Sequence, residues 1–309
     1  MAKKIWITAA ITGGIHTPSM SPYLPQTPKQ IVEDAVGAYE AGAAVVHIHA
    51  RMTENGKPSA EISDIKEIVQ AIKKRCNVII GITTGGAPGM TLEQRIAPIP
   101  ALKPEIASLN AGSINFVISP GADVVRKKGV KYEWEIPYLE SSYDFVFANS
   151  FKVLEQYCLT MNDVCTRPEF EVYDVAMINN IAYFINRGII KTPPYIQFVM
   201  GILGGIPATV DNLVYLVKTA REQLVDFHWS VAAAGKFQFP IIAAALAMGG
   251  NVRVGLEDNL YVRPKVLAKS SAEQVIQIKE IAERMGLEIA TVEETRAILN
   301  LKGTNKTSF

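Results

Sequence analysis

Histidine and cysteine are both scarce in this chain, with four and three among 309 residues. Cys76, Cys158 and Cys165 lack the spacing of a metal ribbon or a redox pair. A disulfide framework is thereby excluded, and the three read as buried small hydrophobes in a reducing cytoplasm. Charge of one sign is also missing. The formal net charge is +1, without a basic stripe or an acidic tail, so neither nucleic acid nor a membrane surface is an expected partner. No apolar run is long enough to span a bilayer; Phe239–Gly250 reaches only about 12 residues. Ile5–Ile15 is interrupted by Thr8 and Thr12, lacks a signal-peptide cleavage pattern and reads as a first buried strand. Repeats, low-complexity tracts and linkers are absent as well, so one domain over 1–309 is expected.

What is present is alternation. Short apolar runs at Ile5–Ala10, Val45–His49, Val78–Thr83, Ile106–Asn110, Glu169–Tyr173, Tyr195–Val199, His228–Val231 and Val252–Glu257 read as eight strands. Helical spacing fills the gaps, for example at Lys29–Glu40 and Ile62–Arg75. Thr27-Pro28 supplies an N-cap and first-turn proline, and Gly42 a stop. Eight such units predict a closed (β/α)8 TIM barrel with its site at the C-terminal ends of the strands. The rival, a doubly wound sheet, would carry G-x-G-x-x-G after strand one, where this chain has Thr12-Gly13-Gly14-Ile15-His16-Thr17. Residues 113–150 break the rhythm with two strand-like runs, Ile114–Ser119 and Tyr143–Ala148, around Trp134 and Pro137. This is expected to be a hairpin-like excursion after strand four, serving as decoration, subunit contact, lid or part of a cofactor cleft. A last helix is expected at Thr291–Leu301, with Lys302–Phe309 frayed.

The sharpest chemical signal is His47-Ile48-His49-Ala50-Arg51. Alternation along a strand puts His47, His49 and Arg51 on one face, and two imidazoles there can converge on a cation or simply hydrogen-bond. Strand eight offers a carboxylate: Arg253, Gly255 and Glu257 share a face, followed by Asp258. Two histidines and Glu257 would leave coordination positions open, as catalytic zinc sites do, and the same donors suit iron(II). Glu169, Glu171 and Tyr173 share a face of strand five, and a lumen carboxylate needs a partner such as Arg51 or Arg253. Thr83, Thr84, Ser108 and Asn110 end strands three and four, where they would hold a substrate carboxylate or cap turns. Glycine-rich loops, including Thr84-Gly85-Gly86 and Gly201–Gly205, could admit a phosphate or a pantetheine arm or simply make tight turns.

Taken in order along the chain, Thr8–Gly13, His47–Arg51, Thr83–Gly86, Leu109–Gly112, Glu169–Tyr173, Ile196–Val199 and Val254–Asn259 resemble the β-keto acid cleavage enzymes. The resemblance implies zinc on His47, His49 and Glu257, and conversion of a β-keto acid and acetyl-CoA into acetoacetate and a new acyl-CoA. It implies that Asp258, paired with Arg253, removes the proton between keto and carboxylate groups, that Glu171 assists, and that Thr83 and Ser108 contact substrate. An amine-recognising member carries a glutamate where this chain has Ile15. A cationic substrate is therefore not expected, and Ile15 with His16 points to a neutral, apolar or anionic side chain, the last held by a cation such as Lys236. By analogy with decorated barrels, a homo-oligomer is expected.

Three other classes compete. A metal-dependent retro-aldol or Claisen lyase barrel would need no acetyl-CoA. An amidohydrolase-like metal hydrolase would need more histidines than the remaining His16 and His228, the latter at the wrong end of its strand. A non-catalytic binding barrel would hold no metal tightly.

Overall fold

The structure is a computed structural model describing residues 4–85 and 89–309. Gly86, part of one expected glycine-rich loop, lies outside the described residues. Eight strands close a parallel barrel: β1 Ile7–Ala10, β2 Val45–Ile48, β3 Ile79–Ile82, β4 Ile106–Asn110, β5 Arg167–Val172, β6 Tyr195–Met200, β7 His228–Ala233 and β8 Asn251–Val254. Neighbours follow sequence order, and β8 returns to pair with β1 through Arg253 opposite Thr8. Each strand is buried on both faces, by helices outside and packed side chains within, which is why the strands read as apolar runs.

Local chemistry sets the outer helices. In α1 (Pro28–Ala41) Thr27 forms a capping box with Gln30, proline opens the first turn, and Gly42 closes it at φ 117°. Helix α2 spans Ile62–Arg75 and buries Ile65, Ile68, Val69 and Ile72 along one stripe. After the short α3 (Leu92–Ile96), Pro98 starts a further helix, α4 (Pro98–Leu102).

Several sequence expectations need correction. The first run is split: Lys4–Ile5 leaves the barrel to pair with Glu288–Ile289 near the C-terminus. Strand eight stops at Val254, because Gly255 turns the backbone at φ 140°. The excursion is a hairpin only at its base, where Ile114–Asn115 pairs antiparallel with Val146–Phe147. Two helices, α5 (Gly121–Lys128) and α6 (Glu135–Ser141), stand between those strands. The last helix is shorter than expected, Val292–Ile298, and the tail beyond it is docked rather than frayed. Lys73 Nζ donates to the carbonyls of Thr304 and Phe309 and to Thr307 Oγ1, and the Ser308 N–H donates to the Leu102 carbonyl. Of the three free cysteines only Cys158 is buried; Cys165 is exposed, at the turn that reverses the chain before β5.

The α5–α6 segment is bolted to the loops after β1 and β2. Glu135 accepts from Ser19 N–H, Ser19 Oγ and Tyr132 N–H. Tyr138 Oη donates to the Gly14 carbonyl, Trp134 Nε1 to the Asn55 carbonyl and Lys128 Nζ to the Met20 carbonyl. Beneath these bonds Met20, Leu24, Val125, Leu139 and Leu256 form a small apolar core of their own.

Candidate active site

A cleft of about 990 Å³, partly open to solvent, sits at the C-terminal mouth of the barrel. It lies where barrel enzymes place their chemistry. His47, at the end of β2, and His49, just past it, turn toward it with ring centroids 5.2 Å apart. Their Nε2 atoms lie 3.7 and 3.4 Å from Glu257 Oε1. Glu257 is brought over by two glycines. A side chain on Gly255 would lie 2.0 Å from the Ala10 carbonyl oxygen, and one on Gly13, at φ 57°, would lie 2.2 Å from Glu257 Cγ. The close approach of the last strand's loop to the first therefore requires glycine at both positions.

Arg253 is the hub. Its Nε and Nη2 hold Asp258 bidentately at 2.8 and 2.9 Å, Nη2 also reaches Glu257 at 2.7 Å, and Nη1 donates to Gln197 Oε1 at 3.0 Å, with Glu171 3.4 Å away. Glu171 Oε2 accepts from Asn110 Nδ2 and Tyr173 Oη at 3.0 and 3.1 Å. Sheet register explains this set, since Glu171 stands between Asn110 on β4 and Gln197 on β6. Alternation identifies Glu171 and Tyr173, but nothing in the sequence marks Gln197 as the group that steadies Arg253.

Burial governs the protonation states. It lowers the His47 pKa to about 3, leaving a neutral imidazole with a free lone pair. Burial raises Asp258 and Glu171 above the usual carboxylate range, against the pull of Arg253. For Glu257 burial is outweighed by Arg253 and the two imidazoles, which hold it well below that range. Deeper in the lumen burial pushes Glu169 up to about 7.

These residues fit a divalent cation. Ligand atoms of His47, His49 and Glu257 all lie within 4.8 Å of one another. Glu257 Oε2 is buried without a hydrogen-bond partner among the described residues, which is costly unless a cation meets it.

Other candidate residues divide. Thr83, Asn110, Ile15 and His16 line the cleft. Ser108 does not; it is buried behind it, its Oγ accepting from the Thr84 N–H. His16 Nδ1 lies 2.9 Å from the Leu256 carbonyl, and burial lowers its pKa to about 4. Among the described residues Arg51 pairs with no carboxylate. It donates to Thr12 Oγ1 and to the carbonyls of Thr12, Gly13, His16 and Gly56, fixing the glycine-rich loop. His228 stands at the opposite barrel end beside Trp6.

Fold and site together define a (β/α)8-barrel enzyme built around a carboxylate–imidazole cluster. The sequence profile of the "beta-keto acid cleavage enzyme" family matches residues 4–301, and the chain belongs to that family. It is 44% identical to a "3,5-dioxohexanoate:acetyl-CoA acetone transferase" of Paraburkholderia graminis, over 99% of both chains. It is 37% identical to a "3-keto-5-aminohexanoate cleavage enzyme" of Acetoanaerobium sticklandii, over 97% of this chain and 99% of that one. Among solved structures, apo ObcA superposes with a TM-score of 0.74 at 23% identity, covering 91% of this chain and 66% of that one, a likeness of fold. The chain is accordingly an enzyme of acyl transfer with C–C cleavage, and among its described residues no helix is long and apolar enough to cross a membrane.

Proposed function

We propose that the enzyme converts a β-keto acid and acetyl-CoA into acetoacetate and a new acyl-CoA, with a divalent metal, zinc by family resemblance, on His47, His49 and Glu257. The observation that carries this reading is the triad of ligand atoms beside the Arg253–Asp258 pair. A bound metal would supply electrostatic stabilisation for charge developing on the keto oxygen. Asp258, aimed by two hydrogen bonds from Arg253, takes the proton from the carbon between keto group and carboxylate. Its raised affinity for protons suits that task. The carbanion attacks the acetyl carbonyl and expels CoA thiolate. The thiolate then attacks the original keto carbon, the C–C bond breaks, and Asp258 returns the proton to acetoacetate. Glu171, gripped by Asn110 and Tyr173, keeps Arg253 in place. Thr83 and His16 on the cleft wall orient substrate, Ile15 faces its side chain, and Ser108 holds the Thr84 turn that carries Thr83.

The whole chain, 1–309, acts as one domain. Free thiols, one exposed, suit a reducing cytoplasm. The exposed Tyr143 and Val146, just after α6, suit the contact face of a homo-oligomer. Incubation of purified enzyme with a β-keto acid, with and without acetyl-CoA, tests the reaction. Acetoacetate is expected only when acetyl-CoA is present. Equal formation in its absence would assign a lyase instead.

A further inference from the structure

The cleft has two chemically distinct halves. Its carboxylates Glu171, Glu257 and Asp258 line one side with Arg253, His47 and His49, and the remaining imidazole, His16, has its Nδ1 2.9 Å from the Leu256 carbonyl. The other side is a wall of Ile15, Phe116, Ile118, Phe145, Phe147 and Ile202. Four of these six come from the segment between β4 and α7 (Phe151–Asp163). The aromatic rings brace one another: Phe145 stacks on Phe147 at 6.3 Å, and Phe116 meets Phe147 and Tyr173 edge-on at 6.0 and 5.8 Å. Through Tyr173 the wall abuts Glu171, beside the Arg253–Asp258 pair proposed to act on the substrate.

Polar groups on this side are already engaged. Tyr138 Oη donates to the Gly14 carbonyl at 2.8 Å. Ser142 Oγ donates to the Leu139 carbonyl at 2.6 Å and accepts the Ile118 N–H at 2.9 Å. Lys236, the cation the sequence offered for an anionic side chain, does not line the cleft; its ammonium lies over the Phe237 ring. A charged substituent placed here would lose its water and find no counter-charge on this lining among the described residues, Arg95 being stacked on the Phe147 ring outside the cleft, whereas an apolar one would gain from burial.

We infer that the substituent on the keto carbon is uncharged and apolar, and that the 114–147 segment is the element that selects it. This rests on the reaction proposed above. The segment is a fixed wall, since Glu135, Tyr138, Trp134 and Lys128 tie it to the loops after β1 and β2. Excursion and specificity are thus one feature of this chain, since the insertion supplies four of the six wall residues.

The test is a set of three β-keto acids of equal chain length, ending in a methyl, a carboxylate or an ammonium group, each assayed with acetyl-CoA for acetoacetate. The methyl-terminated acid is expected to exceed both others in kcat/KM by about 100-fold, as an unpaired buried charge demands. A charged acid turned over as well or better overturns the inference and leaves the reaction standing, whereas acetoacetate from none of the three removes both. Phe145→Ala separates the wall from the co-substrate. It is expected to raise KM for the methyl-terminated acid about tenfold, through lost aromatic contact, with KM for acetyl-CoA unmoved. A shift in the acetyl-CoA KM alone would make the wall a seat for the pantetheine arm and overturn the assignment. Ile118→Arg should raise kcat/KM for the carboxylate-terminated acid by about tenfold, as a buried counter-charge would.

Discussion

Replacing Arg253 with methionine should damage stability and catalysis by separable amounts. The guanidinium contacts Glu171, Gln197, Glu257 and Asp258, and it is 3% exposed, so solvent does not screen these interactions. Removing one partner of such a buried ionic cluster costs about 3–5 kcal/mol. At about 2.1 cal/mol/K per residue, unfolding this chain carries an entropy near 0.65 kcal/mol/K, so about 4 kcal/mol lowers Tm by roughly 6 °C. Asp258 would also lose both hydrogen bonds that aim it, and kcat should fall by about 10²–10⁴, the usual worth of a positioned base. Arg253→Lys retains the charge without the fork, so it should recover part of the Tm and little of the rate. Thermal denaturation, steady-state acetoacetate formation and metal content, measured on all three proteins, separate the terms. If Arg253→Met kept kcat within about tenfold of the parent with metal still bound, Arg253 would not be what aims the base.

Other changes probe other links. Gly13→Ala introduces a Cβ that would lie 2.2 Å from Glu257 Cγ at a backbone of φ 57°, so it should displace Glu257 and reduce bound metal, measured by elemental analysis, below half of the parent's. Gln197→Leu removes the 3.0 Å acceptor of Arg253, and kcat is expected to fall about tenfold with KM little changed; equal loss in both would mean general disorder. Asp34 bonds the Ser271 N–H and hydroxyl, and burial raises its pKa to about 6 in the folded protein. A carboxyl whose folded pKa is raised contributes its full stability below pH 3.8, and that contribution is lost as pH rises through 6. Asp34→Asn should therefore gain on the parent by up to about 3 kcal/mol between pH 4 and 7 in urea denaturation, and a constant difference would contradict the shift.

The barrel was legible in the sequence because its strands are buried on both faces and its helices are amphipathic, two patterns of different period. The capping of α1 by Thr27 and Gly42 was legible for the same local reasons. Alternation along strands put His47 and His49 on one face and offered Glu257 from strand eight, and the family resemblance implied that the three share a cation. The triad is assembled otherwise, since β8 ends at Val254 and Glu257 reaches the imidazoles through the turn at Gly255. Strand periodicity could not reveal that, because the determining contact is between Gly13 and Glu257, far apart in the chain. Arg51 was offered as a carboxylate partner by its type alone, but its neighbours turned out to be carbonyls. The two helices inside the excursion escaped notice for a related reason. They are eight and seven residues long, too short to stand alone, and pack with Met20, Leu24 and Leu256. The docked tail depends likewise on one distant lysine, Lys73.

The central claim concerns where the acetyl group goes. Acetyl-CoA carrying ¹³C at its carbonyl, supplied with an unlabelled β-keto acid, should yield acetoacetate labelled at the keto carbon and an unlabelled new acyl-CoA. Label released as free acetate, or acetoacetate formed without label, would contradict the account.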